Sequence, residues 1–308
     1  MAMMIDFATV KGAALVGKNS AIEWTHHTFN PWWGCTKVSP GCKHCYAEKW
    51  SRRVGLSVWG ARSARRFFSD AHWQEPLRWN SESEMTGIRR RVFCASMADI
   101  FEARADLDPW RSRLWALIES TPALDWLLLT KRPEHVASKI PWNNHWPANV
   151  WLGTTAENQL WASRRIPILL EHAAAVRFVS CEPLVGPVDL TRWLGSKRQQ
   201  GGIDWVIAGG ESGGKARPMN PDWARSLRDQ CLKEGAAFHF KQWGQWRPDS
   251  AIASTSKKSC VVESQGGSAK LIRLSKHAAG RDLDGRTWDE FPTPNAPILP
   301  RLRVVAAR

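Results

Sequence analysis

Six short apolar runs, recurring about every 25 to 33 residues, constrain what this chain can fold into more than any other feature. They are Arg91–Ala95, Asp125–Thr130, Asn149–Gly153, Val176–Ser180, Asp204–Ala208 and Ala237–Lys241. Continuous runs of that length, rich in Val, Ile, Phe and Trp, suit strands buried on both faces of a parallel sheet, and their spacing is that of a βα unit. Helix signals fill the gaps: Pro109–Glu119 behind Asp108 as N-cap, Leu160–His172, and Pro221–Gly235 with Asn220 as cap and Gly235 as stop. A shorter strand at Ala21–Thr25 makes a seventh unit. The pattern predicts an α/β fold, a partial or complete (β/α) barrel, with a doubly wound sheet as the competing architecture.

The rhythm holds over residues 1–248, with a cysteine-bearing loop at 31–46. Residues 249–280, rich in Ser, Lys, Ala and Gly, read as an insertion or small subdomain, and 281–308 as a closing segment and basic tail. A hydrophobic share of 43% and a charged share of 23% exclude a mostly disordered or coiled-coil chain. No run of eighteen apolar residues is present, so no membrane span is expected. Met1–Val16 carries Asp6 and Lys11 and reads poorly as a secretory signal. Seven cysteines are odd in number and sparse, which argues for a reducing compartment; a cytoplasmic protein is expected.

The net charge of +14 points to an anionic partner, nucleic acid among them. Its arginines and lysines cluster at Lys49–Arg66, at Arg89–Arg91 and at Arg301–Arg308. Twenty Trp stand against a single Tyr. Trp126, Trp151 and Trp205 lie in apolar runs and read as core, whereas Trp32 and Trp33, in a Pro/Gly loop, suit either packing or base stacking.

Cys35, Cys42 and Cys45 fall within eleven residues, in a loop shaped by Pro31, Gly34, Pro40 and Gly41. Three thiolates in one loop can ligate three irons of a [4Fe–4S] cluster and leave the fourth iron open. A closed zinc site needs a fourth ligand, for which His44, His26 and His27 are the candidates. Cys94, Cys181, Cys231 and Cys260 read as packing residues. In a (β/α) barrel, functional groups gather at the C-terminal ends of the strands. That rule selects Ser96, Asp99, Thr130, Lys131, Thr154, Thr155, Glu157, Asn158, Ser180, Glu182, Glu211, Ser212, Lys241 and Gln242, while Gly209 and Gly210 allow a ligand close to the backbone and Arg132 adds a cation.

A three-cysteine loop after the first strand of such a barrel resembles the radical S-adenosylmethionine (SAM) superfamily. More closely, the chain resembles a phage and prophage family of radical-SAM-like proteins. The shared motifs run from I-E-W-T-H-H-T-F-N-P-W-W-G-C at Ile22–Cys35 to L-D-G-R-T-W-D-E-F-P at Leu283–Pro292. Between them lie S-M-A-D-I-F (Ser96–Phe101), L-T-K-R-P (Leu129–Pro133), L-G-T-T-A-E-N (Leu152–Asn158), S-C-E-P-L (Ser180–Leu184), G-G-E-S-G (Gly209–Gly213) and F-K-Q-W-G (Phe240–Gly244). The superfamily spaces its cysteines by three residues and then two, whereas here the gaps are six and two. The resemblance implies a [4Fe–4S] cluster on Cys35, Cys42 and Cys45, SAM as cofactor, and an external reductant of flavodoxin or ferredoxin type. It implies SAM contacts among Ser96, Asp99, Thr155, Glu157, Asn158, Gly209, Gly210 and Glu211. Lys131, Arg132, Glu182, Lys241 and Gln242 are left for the substrate, with a nucleic acid or nucleotide expected from the charge. The other function class is a non-enzymatic, metal-stapled nucleic-acid-binding accessory protein.

Overall fold

The computed structural model describes residues 17–143, 145–195, 201–249, 258–264 and 267–293. Seven strands form one all-parallel sheet: β1 (His27–Thr28), β2 (Arg90–Cys94), β3 (Leu124–Thr130), β4 (Val150–Thr155), β5 (Val176–Cys181), β6 (Trp205–Gly209) and β7 (Ala237–Gln242). Their order in the sheet is their order in the chain. A doubly wound sheet reverses its order at a switch point, so that alternative is excluded. The main connections carry helices α1 (Tyr46–Arg53), α2 (Glu75–Thr86), α3 (Asp108–Ser120), α4 (Gln159–Leu170) and α5 (Pro221–Glu234).

Alternate residues of each strand face opposite sides. One set, including Val92, Trp126, Leu152, Val179, Val206 and Phe238, is buried against helix residues such as Leu114, Ile166 and Leu227. The other set, Phe93, Leu127, Trp151, Phe178, Trp205 and Ile207, forms a second apolar cluster with Ile22 and Trp24. The Trp24 ring lies 4.5 Å from Phe93 of β2 and 6.1 Å from Trp205 of β6. Strands so far apart in the order share a neighbour only because the sheet curls into a half-barrel. Phe291 seals the same floor, 5.2 Å from Trp205 and 3.8 Å below the Arg91 guanidinium.

Among the described residues β7 does not pair with β1. Its open edge is covered instead, with Phe240 N–H donating to Trp288 O and Glu290 N–H to Phe238 O. The strand expected at Ala21–Thr25 starts later, at His27, because Ile22 and Trp24 turn into the barrel floor as a plug. Asn158 caps α4, Asn220 caps α5, and Gly235 ends α5 with φ +73°. Asp108 does not cap α3; it is the helix's first residue and pairs with Arg111 and Lys139.

Beyond β7, strands β8 (Trp246–Pro248), β9 (Ser259–Ser264) and β10 (Gly267–Arg273) make a small antiparallel sheet in the order β8-β10-β9. Trp32 and Trp33 are buried core residues, which settles them as packing. Cys94, Cys181 and Cys231 are buried as expected. The basic tail with Arg301, Arg303 and Arg308 lies outside the described residues. Among those described, no helix is long and apolar enough to cross a membrane.

Candidate functional site

A cavity of about 400 Å³ opens at the C-terminal ends of the strands. Ile22, Trp24, Phe93 and Leu129 continue the apolar floor into it, and above them the lining turns polar. Cys35, Cys42 and Cys45 line it, together with Ser96, Asp99, Lys131, Arg132, Thr155, Glu182, Gly210, Glu211, Lys241 and Gln242. The structure therefore brings most of the sequence-selected residues to one place. Asn158, Glu157 and Gly209 stand behind the wall.

The cysteine loop is built into position rather than draped. At Gly34 φ is +116° and a Cβ would collide with Val58 O, so only glycine fits there. Arg132 donates to Cys35 Sγ at 3.6 Å, to Thr36 O, and to Asp99 Oδ2 at 2.9 Å. Ser39 Oγ donates to Glu157 Oε1 and lies 3.8 Å from Cys42 Sγ. Any side chain at Gly41 would run into Glu157. On the far side Arg217 reaches Pro40 O at 3.1 Å. The long gap between Cys35 and Cys42 is thus moored at Thr36, Ser39, Pro40 and Gly41.

These anchors reassign several residues. Glu157 is fully buried and bonds Arg165 at 2.9 Å, with Lys131 at 3.5 Å. Burial opposes its charge, but Lys131 and Arg165 outweigh that and hold the carboxyl below its usual range. Through Ser39 it supports the cysteine loop. Asp99 accepts from Phe101 N–H, Thr130 Oγ1, Lys131 N–H and Arg132, which uses its oxygens to fix the β3 end. Asn158 is spent as the α4 cap. Gly210 is needed because the Trp243 carbonyl passes where its Cβ would be; the close approach is by the protein's own backbone. Gly209 lies under Glu182, which would be 3.2 Å from an added Cβ.

Glu211 is held by Arg217 Nη2 at 2.7 Å and by His44 Nδ1 at 3.0 Å. Against the burial cost, these partners keep its carboxyl below the usual range. Glu182 pairs with Lys241 at 2.9 Å and accepts from Gln242 Nε2 at 2.9 Å. Thr155 Oγ1 accepts from Lys131 Nζ at 3.0 Å and Arg165 at 2.9 Å. Ser96 Oγ accepts from Asn30 at 3.1 Å, and its carbonyl takes the Tyr46 hydroxyl at 2.7 Å. Sequence reasoning missed Arg165 and Arg217, whose helical or loop positions carry no strand-end signal, and Trp59, which lines the cavity half-buried.

Whether a cluster suits this wall turns on its donors. The three cysteines are free and half-buried. Burial, with Asp99 nearby, pushes the Cys35 thiol up to about 12, and burial also raises Cys45. Such thiols give up their protons to a bound metal rather than to water. Among the described residues no three Cys, His, Asp or Glu side chains gather closely enough to hold one metal ion. Three free thiols lining one cavity have the donor chemistry of a cluster whose irons each take one thiolate. Arg132 at Cys35 and Ser39 at Cys42 supply hydrogen bonds to sulfur of the kind that tunes such clusters. The residues fit the group. His26 and His27 do not line the cavity; their Nδ1 atoms accept the Arg91 and Asn19 N–H groups at 2.8 and 3.2 Å.

Fold and cavity define an α/β half-barrel protein with a thiol-lined chamber at its strand ends. A family profile matches residues 19–292, and the chain belongs to that family, DUF5131, described as a protein of unknown function. No curated protein and no solved structure matches it.

Proposed function

We propose that the chain is a radical SAM enzyme whose half-barrel is of the superfamily's type. The observation that carries this reading is the sharing of one chamber by three free thiols and the polar groups of the strand ends. A [4Fe–4S] cluster with one open iron supplies reductive cleavage of SAM and hydrogen abstraction from a substrate in the same chamber. Cys35, Cys42 and Cys45 hold it, and Arg132 stabilises the Cys35 thiolate. Glu211 is the carboxylate for the SAM ammonium: its partner Arg217 is 27% exposed, whereas the partner of Asp99, Arg132, is 7% exposed. The apolar wall of Ile22, Trp24, Phe93 and Leu129 excludes water from the reacting end. A flavodoxin- or ferredoxin-type protein is the electron donor this chemistry calls for.

The test is anaerobic. Reconstituted protein should carry iron and sulfide with a cluster absorbance, lose both when any of Cys35, Cys42 or Cys45 becomes Ala, and convert SAM to methionine and 5′-deoxyadenosine with dithionite. Glu211→Gln should weaken SAM binding by about 1.5–3 kcal/mol, the range for a hydrogen bond to a charged group, with iron content unchanged. A stable cluster that does not bind SAM in calorimetry overturns the reading.

A further inference from the structure

We propose that the cavity wall made by Glu182, Ser212 and Gln242 receives the hydrogen-bonding edge of an unstacked nucleobase. The base belongs to a single-stranded nucleic acid whose phosphates follow a basic ridge of Lys43, Lys49 and Lys215 beside the mouth. The inference rests on reading the cavity as the reaction chamber, and adds the class of substrate.

Gln242 is 6% exposed and lines the cavity. Its Nε2 donates to Glu182 Oε1 at 2.9 Å and to Ser212 Oγ at 3.2 Å. A carboxylate only accepts, so this pairing fixes which way the amide faces. The Oε1 is then left buried with no partner among the described residues. A buried acceptor left without a partner, on a residue that lines the cavity, calls for an N–H or O–H donor. Lys241 ties the other Glu182 oxygen at 2.9 Å, so the wall is rigid before any ligand enters. Extruded bases are read in this manner, by their pairing edge and by an aromatic face. Trp59, half-buried on the same lining, offers that face.

The ridge makes the ligand a polymer. Lys43 lies between Cys42 and His44, both on the lining. Lys49 Nζ is 3.0 Å from the place of a Gly213 side chain, and Lys215 follows in the same loop. Arg217 fastens that loop to the cysteine loop at Pro40. All three lysines are exposed. Ion pairs around the mouth use Lys37, Lys131, Arg217 and Lys241, and among the described residues leave these three out. Exposed cations left out of these ion pairs attract phosphates. A duplex keeps its bases stacked inside, so a single strand is the form whose base reaches the wall.

Full-length protein, iron-free and cluster-loaded, is titrated by fluorescence anisotropy across a salt series. The probes are a labelled single strand of about 15 nucleotides, within the usual site sizes, its abasic counterpart and its duplex. The native strand should bind roughly fivefold tighter than the abasic one, as a single hydrogen bond allows. Gln242→Leu should erase that difference and keep the salt slope. Lys43→Gln/Lys49→Gln/Lys215→Gln should flatten the log–log slope by about 2, at about 0.7 per phosphate contact. The abasic comparison needs no variant, so misfolding cannot hide the answer. Equal binding of abasic and native strands, duplex binding as tight as single-strand binding, or no binding at low salt overturns the proposal. Cluster-bearing, SAM-binding protein that ignores single strands refutes this inference alone; iron-free protein that cannot be loaded yet reads the base refutes the radical reading alone.

Discussion

The floor of the half-barrel and its mouth are made by the same faces of the same strands, two to four residues apart. Trp151, Gly153 and Thr155 succeed one another on β4, Leu127, Leu129 and Lys131 through the β3 end, and Phe178, Ser180 and Glu182 through the β5 end. The floor is dry and aromatic: Trp24, Trp151, Phe178, His239 and Phe291 all surround Trp205. The mouth is a lattice of ion pairs in which Asp99, Glu157, Glu182 and Glu211 each have a cation. Apolar packing is concentrated in the first and paired charge in the second. The cations that balance charge at the mouth come from several elements: Arg132 and Arg217 from loops, Arg165 from α4 and Lys241 from β7.

The largest effect should come from the floor. Trp205→Ala removes a fully buried ring and should cost about 3–5 kcal/mol in urea unfolding; a loss under about 1 kcal/mol would mean that the floor collapses around the gap. Glu157→Ala should follow at about 3 kcal/mol, since it leaves Arg165 buried without its counter-charge. It should also release the cysteine loop, read as lost iron binding; unchanged stability and iron would separate mouth from loop. Gly153→Ala pushes a methyl into the Phe178 ring and should cost about 1–3 kcal/mol by overpacking. Lys276→Ala, at the cavity rim with its Glu23 partner 3.9 Å away, should change stability by less than about 0.5 kcal/mol. A larger loss there would show that the exposed rim carries stability as well as the buried pairs.

Acid distinguishes the regions by pH window. Burial lowers His27 to about 4, and burial with Arg281 nearby lowers His239 to about 3, both from 6.5. Their folded values are depressed and the folded state resists protonation, so their contribution is complete above 6.5 and lost as pH falls toward those values. Glu157 and Glu211 are held below 4.5, so their contribution is present above 4.5 and lost only below it. Thermal unfolding between pH 6.5 and 4.5 should therefore weaken through these buried histidines, of which His239 touches the floor, and His239→Gln should flatten that slope. An unchanged slope would move the acid sensitivity elsewhere.

Six strands were legible to within two residues at either end, because parallel strands buried on both faces leave continuous apolar runs. Ala21–Thr25 misled for the same reason: Ile22 and Trp24 are apolar because they plug a floor, not because they pair in the sheet. The cysteine loop was legible from its thiols, Pro and Gly. The moorings were not. Ser39 meets Glu157 across 118 positions, and Arg217 meets Pro40 across 177. Residues this chain determines by sequence alone are those governed by local demands: side-chain alternation, the Asn220 cap, and the glycine stop at Gly235. Which carboxylate supports a loop, which is left beside an exposed partner, and which amide oxygen stays unpaired were decided by tertiary structure. Electrostatic pairing depends on distance through space, and only the curl of the sheet sets that distance.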